Sequence, residues 1–394
     1  MPQKRQRANV LVRRLHDAFG SGGILHYGQG KWYPGEQLPR WALTCIWRKD
    51  TAPVWCDRTL LAADENKNEA VTPETARTFT QALAVRLGLD PAYVIPGYED
   101  TWYYLWRERR LPVNVDPLQS KLSDPLERVR LAGVFETGLD KVAGYALPLA
   151  RTKDGASQAW RSGPWVLRQT HMFLLPGDSP MGYRLPLDSL PWAAPEDQTH
   201  VTPPDPMEDL PPLPARAASQ HRPEPKPKAK PQTQTAVTEP PATAVAQPIA
   251  APAPAAGVSD PTVVRTALCV EPRDGILHVF MPPAERAEHY LDLVAAIEDT
   301  AAQLRQPVML EGYLPPRDPR LKTFSVTPDP GVIEVNIHPS ESWDELVAST
   351  TAVYEEARAT RLIAEKFMLD GRHVGTGGGN HMVMGAAEAV DSPF

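Results

Sequence analysis

The chain has 394 residues, 42% of them hydrophobic and 23% charged, enough for two domains of ordinary size. Its net charge of −7, with no basic field covering the whole chain although Met1 to Phe19 is locally basic, argues against a nucleic acid or a membrane surface as partner, and no apolar run approaches the roughly 20 residues that span a bilayer. Cys45, Cys56 and Cys269 are scattered and odd in number, so neither a disulfide framework nor a zinc site is implied and a reducing, cytoplasmic compartment is expected.

Near the N-terminus, Leu11, Leu15 and Phe19 are four apart and predict a surface helix. The segments Trp41 to Trp47 and Trp165 to Leu175 read as buried strands. Thr72-Pro73-Glu74 reads as an N-cap followed by proline at the first helical position. Ala76, Phe79, Leu83 and Leu87 then mark one helical face, which Gly88 ends. The segment from Gly177 to Gly182 reads as a turn. Together, residues 1–194 are expected to form an N-terminal α/β globular block.

Residues 195–262 are dominated by Pro, Ala, Thr, Gln and Lys and bury too little apolar surface to offset the entropy of ordering, so a disordered linker is expected there. In residues 263–394, two apolar runs, Thr266 to Glu271 and Ile276 to Met281, flank Asp274-Gly275 and predict a hairpin. Tyr290, Val294, Ile297, Ala301 and Leu304 keep a helical period. A strand is expected over Val308 to Leu310, a loop over Pro315 to Arg320, and a strand over Val332 to Ile337. Ser342-Trp343-Asp344-Glu345 has capping-box form and opens a helix expected to run through Phe367, with Leu346, Val353, Ala357 and Ala364 inward. This order describes an α+β sheet domain.

Two segments carry candidate chemistry. In Gly331 to Pro339, strand alternation puts Glu334, Asn336 and His338 on one face and Val335 and Ile337 on the other. Such a polar row suits a metal- or substrate-facing surface, and also a solvated strand face. In Gly375 to His381, successive glycines let backbone N–H groups approach an anion, although the pattern is not that of a nucleotide-binding P-loop. Lys31 and Arg40 flank a Gly- and Pro-punctuated loop that either binds phosphate or packs on Trp32, Tyr33 and Trp41. Arg317 and Arg320 are either phosphate clamps or solvated side chains.

These two segments resemble the glutamine synthetase and glutamate–cysteine ligase fold, in which a strand bearing a metal-binding glutamate leads through a helix to a glycine loop ending in a metal-binding histidine. The resemblance implies a C-terminal antiparallel sheet with helices. It also implies Glu334 and His381 as ligands of Mg2+ or Mn2+ and Gly377 against an amino-acid substrate, with Asn336 and His338 of the polar row and Gly378, Gly379 and Asn380 of the loop as the further substrate-binding candidates. Two positions depart from that family's pattern: its asparagine is Thr376 here, and its second glutamate is Val326, with Asp329 the nearest carboxylate. Over almost its whole length the chain is similar to a bacterial domain of unknown function found C-terminal to transglutaminase-like domains, through Gly28 to Trp41, Pro176 to Gly182 and Asp370 to His373. Members of that family continue beyond both ends of this sequence, so a fragment is expected. The resemblances imply an ATP- and metal-dependent carboxylate–amine ligase acting on a small amino acid or peptide. The alternative is a non-catalytic binding module serving a transglutaminase-like domain or a neighbouring-gene product. Transglutaminase chemistry in the chain itself is not expected, because no cysteine stands in a nucleophile's setting.

Overall fold

The structure is a computed structural model that describes residues 2–34, 39–64, 67–108, 141–152, 159–167, 171–197, 205, 208–216, 255, 257–375, 381, 384 and 385. Its centre is a ten-stranded mixed sheet. In chain order the strands of that sheet are β1 (Ile24–Gln29), β2 (Trp41–Arg48), β3 (Ile95–Glu99), β4 (Val142–Pro148), β7 (Met172–Leu174), β8 (Ala267–Arg273), β9 (Ile276–Met281), β10 (Val308–Gly312), β11 (Leu321–Asp329) and β12 (Val332–Asn336). Two short pairs lie outside it: β5 (Ala150–Arg151) with β6 (Trp160–Arg161), and β13 (Lys366–Phe367) with β14 (His373–Val374). The described helices are α1 (Pro2–Phe19), α2 (Pro73–Arg86), α3 (Thr101–Glu108), α4 (Ala287–Leu304) and α5 (Trp343–Ala359).

The spatial order is β12-β11-β2-β1-β10-β9-β8-β4-β3-β7, so strands from before and after the proline-rich stretch share one sheet. β1 sits between β2, antiparallel, and β10, parallel; β10 is also parallel to β9. Parallel neighbours need a crossover, and α4 supplies it between β9 and β10. The α+β class is as expected, and the parallel pairs make the sheet mixed rather than antiparallel.

Local chemistry explains several elements. Thr72 accepts from Thr75 N and caps α2, and Gly88 takes φ +74° just past its end. Asp274 (φ +53°) and Gly275 (φ +75°) make the tight turn between β8 and β9. Ser342 caps α5, but that helix ends at Ala359 rather than Phe367, with Arg361 at φ +60°. Of its expected inner face, Val353 and Ala357 pack on the core, whereas Ala364 lies beyond the helix and is exposed. Among the described residues of the expected strand Trp165 to Leu175, only Met172–Leu174 is extended in the sheet.

α2 and α4 cover one sheet face, where Phe79, Leu83, Val294 and Ile297 meet Leu268, Val270, Leu277 and Val279. The opposite face is covered in two parts. Over β1, β2 and β11 lies α1, whose Ala8, Leu11, Val12 and Leu15 are fully buried, so it is a core helix rather than a surface one. Over β8, β9 and β4 lies the turn Met181–Tyr183. A seam remains between these two covers.

Within the expected linker, residues 208–216 are described and docked on the body. Leu213 is buried, Arg48 donates to the carbonyls of Leu213 and Pro214 (2.9 and 2.5 Å), and Arg320 donates to that of Pro211 (2.5 Å). Arg216 pairs with Glu298 and with Asp299 (2.9 Å) of α4. The Glu298 side chain is only 3% exposed and also accepts from Cys56 N and Asp57 N at 2.7 and 2.6 Å. Truncating it orphans two amides and takes from Arg216 one of its two carboxylate partners, leaving Asp299. Glu298→Ala is therefore expected to lose about 3–5 kcal/mol in urea unfolding, and Arg216→Ala, more exposed, about 1–2 kcal/mol. Equal small losses for both would contradict this account of the clip.

Candidate active site

The seam holds a cleft of about 230 Å³. Its floor comes from alternate residues of adjacent strands: Tyr27 and Gln29 of β1, Met309 and Glu311 of β10, and His278 of β9. Arg5 of α1 and Asp64 form one wall; Pro180, Tyr183, Arg273 and Asp274 form the other. Gly182 allows that second wall to lie flat on the sheet, since a Cβ there would stand 2.1 Å from the Phe280 ring. The turn is pinned by Met181 N donating to Glu271 Oε1 (3.2 Å) and Tyr183 Oη donating to the Gly312 carbonyl (3.3 Å).

Charge is concentrated beneath this cleft. Arg273 bridges Glu271 and Glu311, whose side chains are 12% and 4% exposed. Burial pushes the Glu311 carboxyl up to about 7, outweighing the pull of Arg273, and the nearby Glu271 pushes the same way. Burial, helped by Arg273, holds His278 down at about 3, so its imidazole is neutral. Its Nδ1 lies 3.1 Å from the Ile276 carbonyl, which can only accept, so the proton is assigned to Nδ1 and Nε2 keeps its lone pair. Arg5 donates from Nε to Asp64 (3.3 Å), and its guanidinium lies 5.4 Å from the ring centroids of both Tyr27 and Trp41. An acid that titrates near neutrality, beside a fixed neutral acceptor and a held guanidinium, is equipped to bind a small polar molecule and to take a proton from it.

Residues 1–394, the whole chain, match the family described as "Putative amidoligase enzyme (DUF2126)". The chain belongs to this family. No curated protein and no solved structure matches it. Among the described residues, no helix is long and apolar enough to cross a membrane. Two segments that carried the family resemblance reach the cleft of this amidoligase-family chain: Gly28 and Gln29 of the first line it, and so does Pro180 of the second, with Tyr183 lining it one residue past that segment's end.

The residues singled out from the sequence are placed elsewhere. Glu334, on the edge strand β12, lies 3.6 Å from Lys31 Nζ, and Arg40 pairs with Asp329 at 2.7 Å while its guanidinium lies 4.2 Å from the Tyr33 ring. Lys31, Arg40 and Glu334 thus come together at one sheet edge, largely in ion pairs with each other's hairpins. Asn336 is exposed at the end of β12. His338 does not share their face: β12 stops at Asn336, and the His338 ring packs at 5.3 Å from Phe19 and 5.1 Å from Trp47, on the α1 side. Val326 is fully buried in the α1-facing core. Arg320 is held by Asp318 (2.6 Å) and Glu288 (2.7 Å), which raise its pKa and leave less of its fork for phosphate; Arg317 is exposed. His381 is exposed and outside any strand, while Gly377, Gly378, Gly379 and Asn380 lie outside the described residues. Among the described residues, no three His, Cys, Asp or Glu side chains are grouped to hold a metal.

Sequence reasoning passed over the cleft, although a signal was present. Glu271 and Arg273 alternate at the end of an apolar strand, His278 interrupts Ile276 to Met281, and Glu311 closes Val308–Gly312. Charged or titratable side chains inside runs that read as fully buried are the informative exception in a core.

Proposed function

We propose that this protein is an ATP-dependent carboxylate–amine ligase, assisted by Mg2+ or Mn2+, whose amine substrate sits in the seam cleft. Membership of the amidoligase family supports the reaction class. The observation that carries the assignment to this cleft is Glu311, a buried acid at about 7 on the floor of an open pocket. ATP would supply activation of the carboxylate as an acyl phosphate. The protein's own task at the cleft is then to seat the amine and remove its proton. As the amine lone pair forms the new C–N bond and phosphate departs with the C–O pair, the proton on nitrogen passes to a Glu311 oxygen. Arg273 stays protonated between the two carboxylates and fixes the direction of Glu311. The described residues do not assemble a metal donor set, so no step here is routed through the cation.

The test is incubation of the full chain with ATP, Mg2+ or Mn2+, and panels of small carboxylates and amines, with mass spectrometry for amide and an assay for ADP. Amide that depends on both substrates is the expected product; absence of both amide and substrate-dependent ADP would overturn the ligase reading. The cleft, with an open guanidinium on one wall and acceptors on its floor, would equally serve one second reading, a non-catalytic module that binds an amino acid or peptide for a transglutaminase-like partner. Ligand binding that needs neither nucleotide nor metal, with no product under any condition, would support it.

A further inference from the structure

We infer that the cleft is built for a substrate carrying an amine and a carboxylate on one small molecule, an amino acid in zwitterionic form, with Arg5 holding the carboxylate and His278 Nε2 and Glu311 receiving the amine. This rests on the reading of the cleft as the amine-substrate site, and it adds the chemical class of that substrate.

The argument is one of spare hydrogen-bonding capacity. Arg273 is committed to Glu271 and Glu311. Arg5 is not: only its Nε is engaged, by Asp64, and among the described residues nothing bonds Nη1 or Nη2. Asp64 and the Tyr27 and Trp41 rings hold the guanidinium plane, so the free pair is pre-organised to receive a carboxylate in two-point fashion. His278 offers the opposite capacity. Its Nδ1–H is used on the Ile276 carbonyl, which leaves Nε2 an acceptor, and burial beside Arg273 keeps the ring from becoming a cation that would repel an ammonium. Asp274, on the same wall as Arg273, adds negative charge.

The cleft therefore presents one open cationic donor pair and a set of acceptors and carboxylates. A simple amine would satisfy the acceptors and leave Arg5 facing a cation. A simple carboxylate would satisfy Arg5 and face Glu311, Asp274 and a lone pair. Only a molecule bearing both charges meets both walls, and this is selection by mismatch as much as by fit. A volume of about 230 Å³ further restricts the occupant to a small molecule rather than a folded peptide segment.

The experiment is calorimetric titration of the full chain at pH 8, without nucleotide, using glycine, L-alanine and L-serine. The same titrations are run with methylamine, ethylamine, acetate, propionate and the amino-acid methyl esters. The amino acids are expected to bind at least tenfold more tightly than any of the singly charged analogues. Arg5→Gln should remove at least tenfold in amino-acid affinity and, by removing the cation that faces a bound amine, should strengthen amine binding rather than weaken it. Arg5→Lys, keeping charge but not the fork, should fall between. Amines or esters binding as tightly as the amino acids, or no amino acid binding at all, would overturn the inference from the wild-type chain alone, whatever the folding of the variants. The two readings fail separately. Amide formation from simple amines without amino-acid preference would keep the ligase and sink this inference. Selective amino-acid binding with no amide under any condition would do the reverse.

Discussion

Glu311→Gln is expected to lower kcat by roughly 10²- to 10⁴-fold, the range typical of a lost general base. It should also abolish the rise in rate expected of the wild-type chain as pH passes upward through about 7. A base works only when deprotonated, and burial keeps much of Glu311 protonated until pH exceeds about 7, so the activity limb lies there rather than near an ordinary glutamate's value. Glutamine retains the shape and one oxygen acceptor for Arg273, so the pocket should keep its form, while KM should rise modestly because the bound amine loses one carboxylate partner. Profiles of kcat and kcat/KM between pH 5.5 and 9 for both proteins separate proton removal from substrate seating. If the variant keeps both the rate and the limb, another group takes the proton.

Acid sensitivity is the second large effect. His26 on β1 is completely buried on the α2 and α4 face, and burial holds it down at about 4. His278 is held at about 3. Both are depressed below 6.5, so the unfolded chain binds protons that the folded one refuses. Stability is present above pH 6.5 and is lost as pH falls toward the folded values. By linkage the two histidines together remove about 4 kcal/mol between pH 7.5 and pH 5. Glu311 has the opposite sign. Its folded value is raised, so its contribution is fully present below 4.5 and is lost as pH rises through about 7. Going down to pH 5 it returns about 2 kcal/mol, for a net loss of about 2 kcal/mol. His26→Leu should therefore bring the wild-type difference between urea unfolding at pH 7.5 and at pH 5 close to zero. A variant that parallels the wild type would show that His26 is not a neutral buried ring. Gly28 belongs to the same design, because a Cβ there would stand 2.8 Å from the His26 ring.

How much of this was legible can be judged element by element. α2, α4 and the β8–β9 turn were readable because their signals are local: Thr72 and Pro73 at a cap, a 3.6-residue apolar period, Asp274-Gly275 at a tight turn. The strands β1, β3, β4 and β11 were not anticipated. A short apolar run does not announce its period, and β11 carries polar Lys322, Thr323, Ser325 and Thr327 among its residues. The Glu334 row was read correctly as far as Asn336, which alternates with Val335 along β12, and failed at His338, where the strand had already ended and the ring turned under α1. The glycine run at Gly377 to Gly379 drew attention by composition, and its placement lies outside the described residues.

By itself, the sequence determined the family, the capped helices and the hairpin at Asp274-Gly275, and it put Glu271 and His278 in apolar runs, whereas Arg273 and Glu311 lay just past the strands it marked. Only the tertiary structure decided that these four side chains meet. Their strands become neighbours because α4 returns the chain to lay β10 beside β9, and because β1, some 280 residues earlier, inserts between β10 and β2. Side-chain alternation tells which face of a strand a residue takes, but strand pairing is a long-range choice made by the burial of two whole faces. That choice opened the seam between α1 and the Met181–Tyr183 turn. It also raised Glu311 toward neutrality, since an acid shifts its protonation by the company and burial it is given rather than by its place in the chain.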